Sequence, residues 1–135
     1  MSQAWAEAMI PQADESIISI TDCKATPADL NDGWQAVLRV RFDDVDPDES
    51  TPGEFERDLV QISIEQAIEI STFVQSIATE TSTLVVHCKY GQSRSPAVAK
   101  AVCQHYNLRF PSKFNSHNRF VHRLVLNALS RHGGA

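Results

Sequence analysis

TLVVHCKYGQSRSPAVAKAVCQHY, residues 83–106, carries a strand, a loop and a helix in one run. TLVVH (83–87) is a short apolar stretch, as expected of a central strand buried on both faces. PAVAKAVCQHY (96–106) spaces Ala, Val and Cys so that they face a sheet from a helix, and Ser95-Pro96 supplies a cap and a first-turn proline. Between the two lies KYGQS, bounded by Cys88 and Arg94. In α/β sheets ligands bind beyond the carboxyl ends of the strands, so Cys88 stands where a site is expected.

Outward from this unit, strand-like and helix-like stretches alternate. IISI (17–20) and AVLRVRF (36–42) read as strands. TPAD (26–29) reads as a helix start, with Thr26 as cap and Pro27 in the first turn. NDG (31–33) is turn chemistry, and Asp43 to Glu56 is a polar loop holding Pro47, Pro52 and Gly53. Ser63 and Gln66 have capping-box spacing for a helix that ends near Thr79, with Ile64, Ala67, Ile68, Val74, Ile77 and Ala78 on one face. A last helix is predicted from a Ser116 cap to about Arg131. It turns Phe120, Val121, Leu124, Val125, Ala128 and Leu129 inward and Arg119, His122 and Arg123 toward solvent. The order predicts a single α/β domain over residues 1–135, with a central, mostly parallel sheet of about four to five strands flanked by helices.

The chain has 135 residues, 42% of them hydrophobic and 21% charged, enough for a core without disulfides or a structural metal. No apolar run approaches the roughly 18 residues of a membrane helix. The N-terminal MSQAWAEAMIPQADE lacks the basic-then-apolar order of a signal peptide, so a cytoplasmic location without membrane association is expected. Cys23, Cys88 and Cys103 are an odd set with no C-x-x-C pair, which argues against a disulfide framework and against zinc. His105, His117, His122 and His132 show no ligand spacing and read as surface residues; no metal or cofactor is expected.

Charge is unevenly placed. All 17 acidic residues lie at or before Glu80 against four Lys or Arg, a balance of −13, whereas residues 81–135 hold eight Lys or Arg and no acid, a balance of +8. Most of these charges neutralise one another in a folded domain, but the second half also supplies a positive potential suited to a phosphate-sized anion. The basic residues are not clustered with aromatic ones, so no nucleic-acid partner is expected.

The loop itself has the makings of an oxyanion cradle. A helix starting at Ser95 and Pro96 directs its free N–H groups and positive dipole end back toward Cys88. Gly91 lets the backbone bend so that several N–H groups point at one centre. The dipole and Arg94 favour a thiolate, and the planar Arg94 fork can hold two oxygens of a phosphate at once. From residue usage alone, His directly before a given cysteine with Gly three, Arg six and Ser seven positions after it arises on the order of once in 10⁴ or less.

At these residues HCKYGQSRS resembles the signature His-Cys-x5-Arg-Ser/Thr of the cysteine-dependent protein tyrosine phosphatase superfamily. The length is similar to that of its compact dual-specificity-like and bacterial or phage members. The resemblance implies a phosphomonoester hydrolase, most simply a protein phosphatase, that works without a metal through a cysteinyl-phosphate. In it Cys88 is the nucleophile, the Arg94 side chain and the amides of Lys89, Tyr90, Gly91, Gln92, Ser93 and Arg94 bind phosphate, Ser95 assists departure of the thiolate, and His87 orders the loop from behind. A general acid is implied on a loop upstream. VRFDDVDPDE places Asp44 after the strand, with Asp43 and Asp46 as alternatives. The implied partner is a phosphorylated protein or another phosphomonoester, such as a phosphoinositide or an RNA 5′-phosphate. A silent module that binds phosphoproteins, or a sulfurtransferase-like domain, uses a similar loop. Cys103 reads as core, with a role as resolving thiol for oxidised Cys88 as the alternative. Asn115 and Arg119, at the start of the last helix, are further candidates to contact phosphate or substrate.

Overall fold

Ile17, Ile18 and Ile20 are completely buried in β1 (Glu15–Thr21), which forms the middle of the sheet. In the computed structural model, which describes residues 1–48 and 58–132, β2 (Val37–Arg41) and β3 (Thr83–His87) pair with β1 on either side, both parallel to it. Side chains alternate across the sheet. Ile18, Ile20, Val40, Phe42, Val86 and Cys88 share one core, while Ile17 and Val85 belong to a second, smaller one.

The first core is roofed by three helices. They are α2 (Ile64–Ile77), α3 (Arg94–His105) and α4 (Arg119–His132); α1 (Gln3–Ala8) contributes Ala6 to the other face. Ser63 and Gln66 close a reciprocal capping box at the start of α2, which satisfies two amides that the first turn leaves unpaired. Val121, Val125 and Leu129 of α4 are fully buried, each contributing about 1.5–3 kcal/mol relative to exposure. Phe120 and Leu124 are half-buried at the margin of that stripe. Among the described residues no helix is long and apolar enough to cross a membrane.

The α/β class with a parallel sheet agrees with the sequence, but the described residues form three strands rather than four to five. The three are the three strand-like runs of the sequence, and no further run was there to make another. β3 is an outer strand, not the central one. Its apolar residues are covered above and below instead, Val86 by the helices and Val85 by Ala6 with Met9 and Trp34. On its outer side Ser2 forms a single parallel bridge with Cys88.

Local readings are corrected in several places. TPAD is not helical, because the carbonyl oxygens of Ala25 and Ala28 accept hydrogen bonds from Arg41 Nη2 and Arg39 Nη1 instead of from helical amides. α3 begins at Arg94 with Ser93, not Ser95, in the cap position. α4 begins at Arg119, and Asn118 rather than Ser116 caps it by accepting from the Val121 amide at 3.0 Å. His117 is buried, not a surface residue. Much of the acidic loop expected after β2, residues 49–57, lies outside the described residues.

Candidate active site

β3 ends by delivering Cys88, 3% exposed, to the carboxyl edge of the sheet. The chain then turns through Gly91, whose φ of +73° is a left-handed conformation that a side chain disfavours. The same glycine is packed against the N-terminal backbone, where an added Cβ would stand 2.6 Å from the Met1 carbonyl carbon and 2.8 Å from the Ser2 nitrogen. Residues 1–3 support the loop from outside. Cys88 N donates to Met1 O at 3.2 Å and Gln3 N donates to Lys89 O at 3.1 Å.

The sulfur of Cys88 lies 3.2 Å from Ser95 Oγ. Burial on its own pushes the thiol up, but hydrogen bonding from the Ser95 hydroxyl and from the Ser95 and Gly91 amides, together with the charge of Arg94, outweighs it and leaves the thiol below its ordinary value. Such an environment favours a thiolate. Ser95 thus faces the sulfur, which is why it is free of the capping role that its place before proline suggested.

Arg94 is 5% exposed, and its Nη1 is held at 2.8 Å by the Phe42 carbonyl oxygen and at 2.8 Å by Asp22 Oδ1. These contacts anchor one nitrogen of the fork. The opposite edge, Nε and Nη2, is the pair of donors that a bidentate oxyanion contact uses. His87 is fully buried, with Nε2 2.6 Å from Ser19 Oγ and Nδ1 3.2 Å from the Cys88 carbonyl oxygen. Burial holds its pKa below the ordinary value, so a neutral ring braces the end of β3 from the interior.

The four upstream aspartates are placed differently. Asp44 Oδ1 accepts hydrogen bonds from Ser93 Oγ at 2.8 Å and from Asn118 Nδ2 at 2.9 Å, so this carboxylate is attached to the cysteine loop itself. Asp43 is buried with both oxygens engaged by backbone, Oδ1 by Cys23 N at 3.2 Å and Oδ2 by Val60 N at 2.8 Å. Asp46 Oδ1 accepts from Asp48 N at 3.0 Å within its own turn. Asp48 meets Arg123 at 3.0 Å in an exposed pair, worth less than about 1 kcal/mol. Asp44 is thereby bonded to Ser93, a residue between Cys88 and Arg94.

Lys89, Tyr90 and Gln92 are exposed on the loop, with the Lys89 ammonium 5.4 Å from the centroid of the Tyr90 ring. Asn115 and Arg119 are exposed beyond it, Arg119 Nη2 donating to Asn115 O at 3.4 Å. Cys103 lies on α3 as a free, half-buried cysteine.

No family model, curated protein or solved structure matches this chain. What the site can do therefore follows from its own atoms. A buried thiol biased toward the thiolate, an anchored guanidinium and a carboxylate tied to the same loop are the parts of nucleophilic displacement at an oxyanion, with a proton donor for the leaving group. Two members of the assembly were not singled out in the sequence. Asp22 gave no signal beyond following β1. Asn118 had one, an N-cap residue type three positions before the buried Val121.

Proposed function

We propose that the protein is a metal-independent phosphomonoester hydrolase of the cysteine-dependent phosphatase type. The observation that carries this reading is that one short turn joins nucleophile and acid: Ser95 is hydrogen-bonded to the Cys88 sulfur, and Ser93, two residues earlier, to the Asp44 carboxylate.

The chemistry runs in two displacements. The Cys88 thiolate attacks phosphorus in line with the ester oxygen, an S–P bond forms, and the P–O bond breaks as protonated Asp44 gives its proton to the departing oxygen. Arg94 and the loop amides stabilise the equatorial oxygens, whose charge is greatest in the transition state. Water then attacks the thiophosphate and loses a proton to ionised Asp44. The S–P bond breaks, inorganic phosphate leaves, and Ser95 donates to the returning thiolate. His87 takes no proton in this scheme, because its buried ring faces Ser19.

The test is hydrolysis of an aryl phosphate in the presence of a chelator. The unaltered protein is expected to turn over and to form a phosphoprotein that is stable to alkali and cleaved by iodine, as a phosphate on sulfur is, and Cys88→Ser is expected to do neither. Hydrolysis that survives in Cys88→Ser, or that needs a divalent ion, overturns the proposal. A panel of phosphotyrosine and phosphoserine peptides, phosphoinositides and RNA 5′-phosphates then assigns the substrate.

A further inference from the structure

Asn118 is 5% exposed and joins three separate segments of the chain. Its Nδ2 donates to Asp44 Oδ1 and to Val45 O, both at 2.9 Å, and its Oδ1 accepts from the Val121 amide at 3.0 Å. Its backbone N–H donates to the Ser93 carbonyl oxygen at 3.1 Å. The acid loop, the cysteine loop and the first turn of α4 therefore meet on one residue. A buried amide with this many partners has a single orientation open to it.

We infer that Asn118 is the positioning residue of the general acid, an inference that rests on the phosphatase reading of the site. Asp44 is an exposed side chain on a polar loop, and such a carboxylate has no intrinsic reason to hold one rotamer. Two donors, Asn118 Nδ2 and Ser93 Oγ, both engage Oδ1. Oδ2 is then the oxygen left to carry the proton that passes to the leaving group. Because Ser93 belongs to the loop that holds the phosphate, and Asn118 is bonded to Ser93 as well as to Asp44, proton donor and phosphate cradle keep a fixed relation. That relation matters, since a displacement of about 1 Å in a reacting group costs about a hundredfold in rate.

Capping and positioning can be separated. Asn118→Ser and Asn118→Asp both keep a good helix cap, and both remove the Nδ2 donor; the aspartate also sets a second negative charge against Asp44. Expected for both is a fall of about a hundredfold in kcat/KM for phenyl phosphate, whose leaving group needs a proton. 2,4-Dinitrophenyl phosphate, whose leaving group needs none, should change less than about threefold. The basic limb of the kcat/KM profile should move to higher pH in Asn118→Asp relative to Asn118→Ser. In an Asp44→Asn background, Asn118→Ser should cost nothing further, because there is no acid left to orient.

A loss of equal size for both esters, or losses that simply multiply in the double variant, would make Asn118 a structural residue only and overturn the inference. The phosphatase reading fails separately, when the unaltered protein hydrolyses neither ester or when Cys88→Ser still does.

Discussion

Asp22 Oδ1 and the Phe42 carbonyl oxygen converge on the same nitrogen of Arg94, each at 2.8 Å. Asp22 follows β1 and Phe42 follows β2, so two strand ends together fix the guanidinium that belongs to the loop after the third. Hydrogen bonds to a charged group contribute about 1.5–3 kcal/mol each. Asp22→Ala is therefore expected to lower kcat/KM by roughly tenfold or more. Asp22→Asn keeps an acceptor at the same place and should recover most of it, while inorganic phosphate, facing one negative charge fewer, inhibits more strongly. Steady-state kinetics with phosphate as inhibitor checks both. If Asp22→Ala matches the unaltered protein, the Phe42 carbonyl alone suffices to hold Arg94.

Gly91 is required on two independent grounds, a φ of +73° and backbone atoms of residues 1 and 2 within 2.9 Å of any added Cβ. The nearest atoms are backbone and have no rotamer by which to retreat. Gly91→Ala is expected to lower stability by about 2–4 kcal/mol, seen as a drop in thermal midpoint, and to abolish turnover by pushing residues 1–3 off the loop. A variant of unchanged midpoint would mean that those residues can detach at no cost.

The contrast between what was legible and what was not follows sequence separation. The capping box at Ser63 and Gln66 spans three residues, and the cysteine loop from His87 to Ser95 is contiguous, so residue types and spacing suffice to read them. Thr26 to Asp29 has good local helix signals, yet Arg39 and Arg41 from β2 take the carbonyls of Ala28 and Ala25, a tertiary contact that propensity does not contain. Asp43 and Asp44 are adjacent and chemically identical. Only the fold distinguishes them, burying Asp43 against the Cys23 and Val60 amides and setting Asp44 beside Ser93 and Asn118. Asn118 reaches Asp44 across 74 residues, a separation at which no motif operates.

His117 and His122 stand before and within the first turn of α4, in the two positions of a hydrophobic staple. Their rings pack edge to face at 5.4 Å, and His122 Nε2 meets Gln104 Oε1. Burial, then the charge of Lys100, then His117, push the pKa of His122 down to about 4 from an ordinary 6.5. Because the folded value lies below the unfolded one, the unfolded chain binds more protons between them. The contribution of this group to stability is therefore complete above about pH 6.5 and is lost as pH falls toward 4. His122→Leu keeps an apolar partner for His117 without the proton, and is expected to flatten the fall in unfolding midpoint across that interval. An unchanged slope would assign the acid sensitivity to other groups, His117 first.

Ser95 Oγ lies 3.2 Å from the Cys88 sulfur, and its hydrogen bonding is the largest of the influences that lower this thiol against the opposing effect of burial. Ser95→Ala removes the hydroxyl but leaves the amides of Gly91 and Ser95 and the charge of Arg94 in place. The pH midpoint for alkylation of Cys88 by iodoacetamide is expected to move up in the variant. Loss of one such bond costs about 1 kcal/mol or somewhat more, so expulsion of the thiolate from the cysteinyl-phosphate should slow by roughly tenfold. Formation of the intermediate should slow much less, since weaker stabilisation also makes the sulfur a better nucleophile. Rapid-mixing experiments should therefore show a larger burst of phenol and more trapped phosphoenzyme than the unaltered protein gives. An alkylation midpoint that does not move would place the thiolate under the control of the amides and Arg94 alone, and would remove Ser95 from the second displacement.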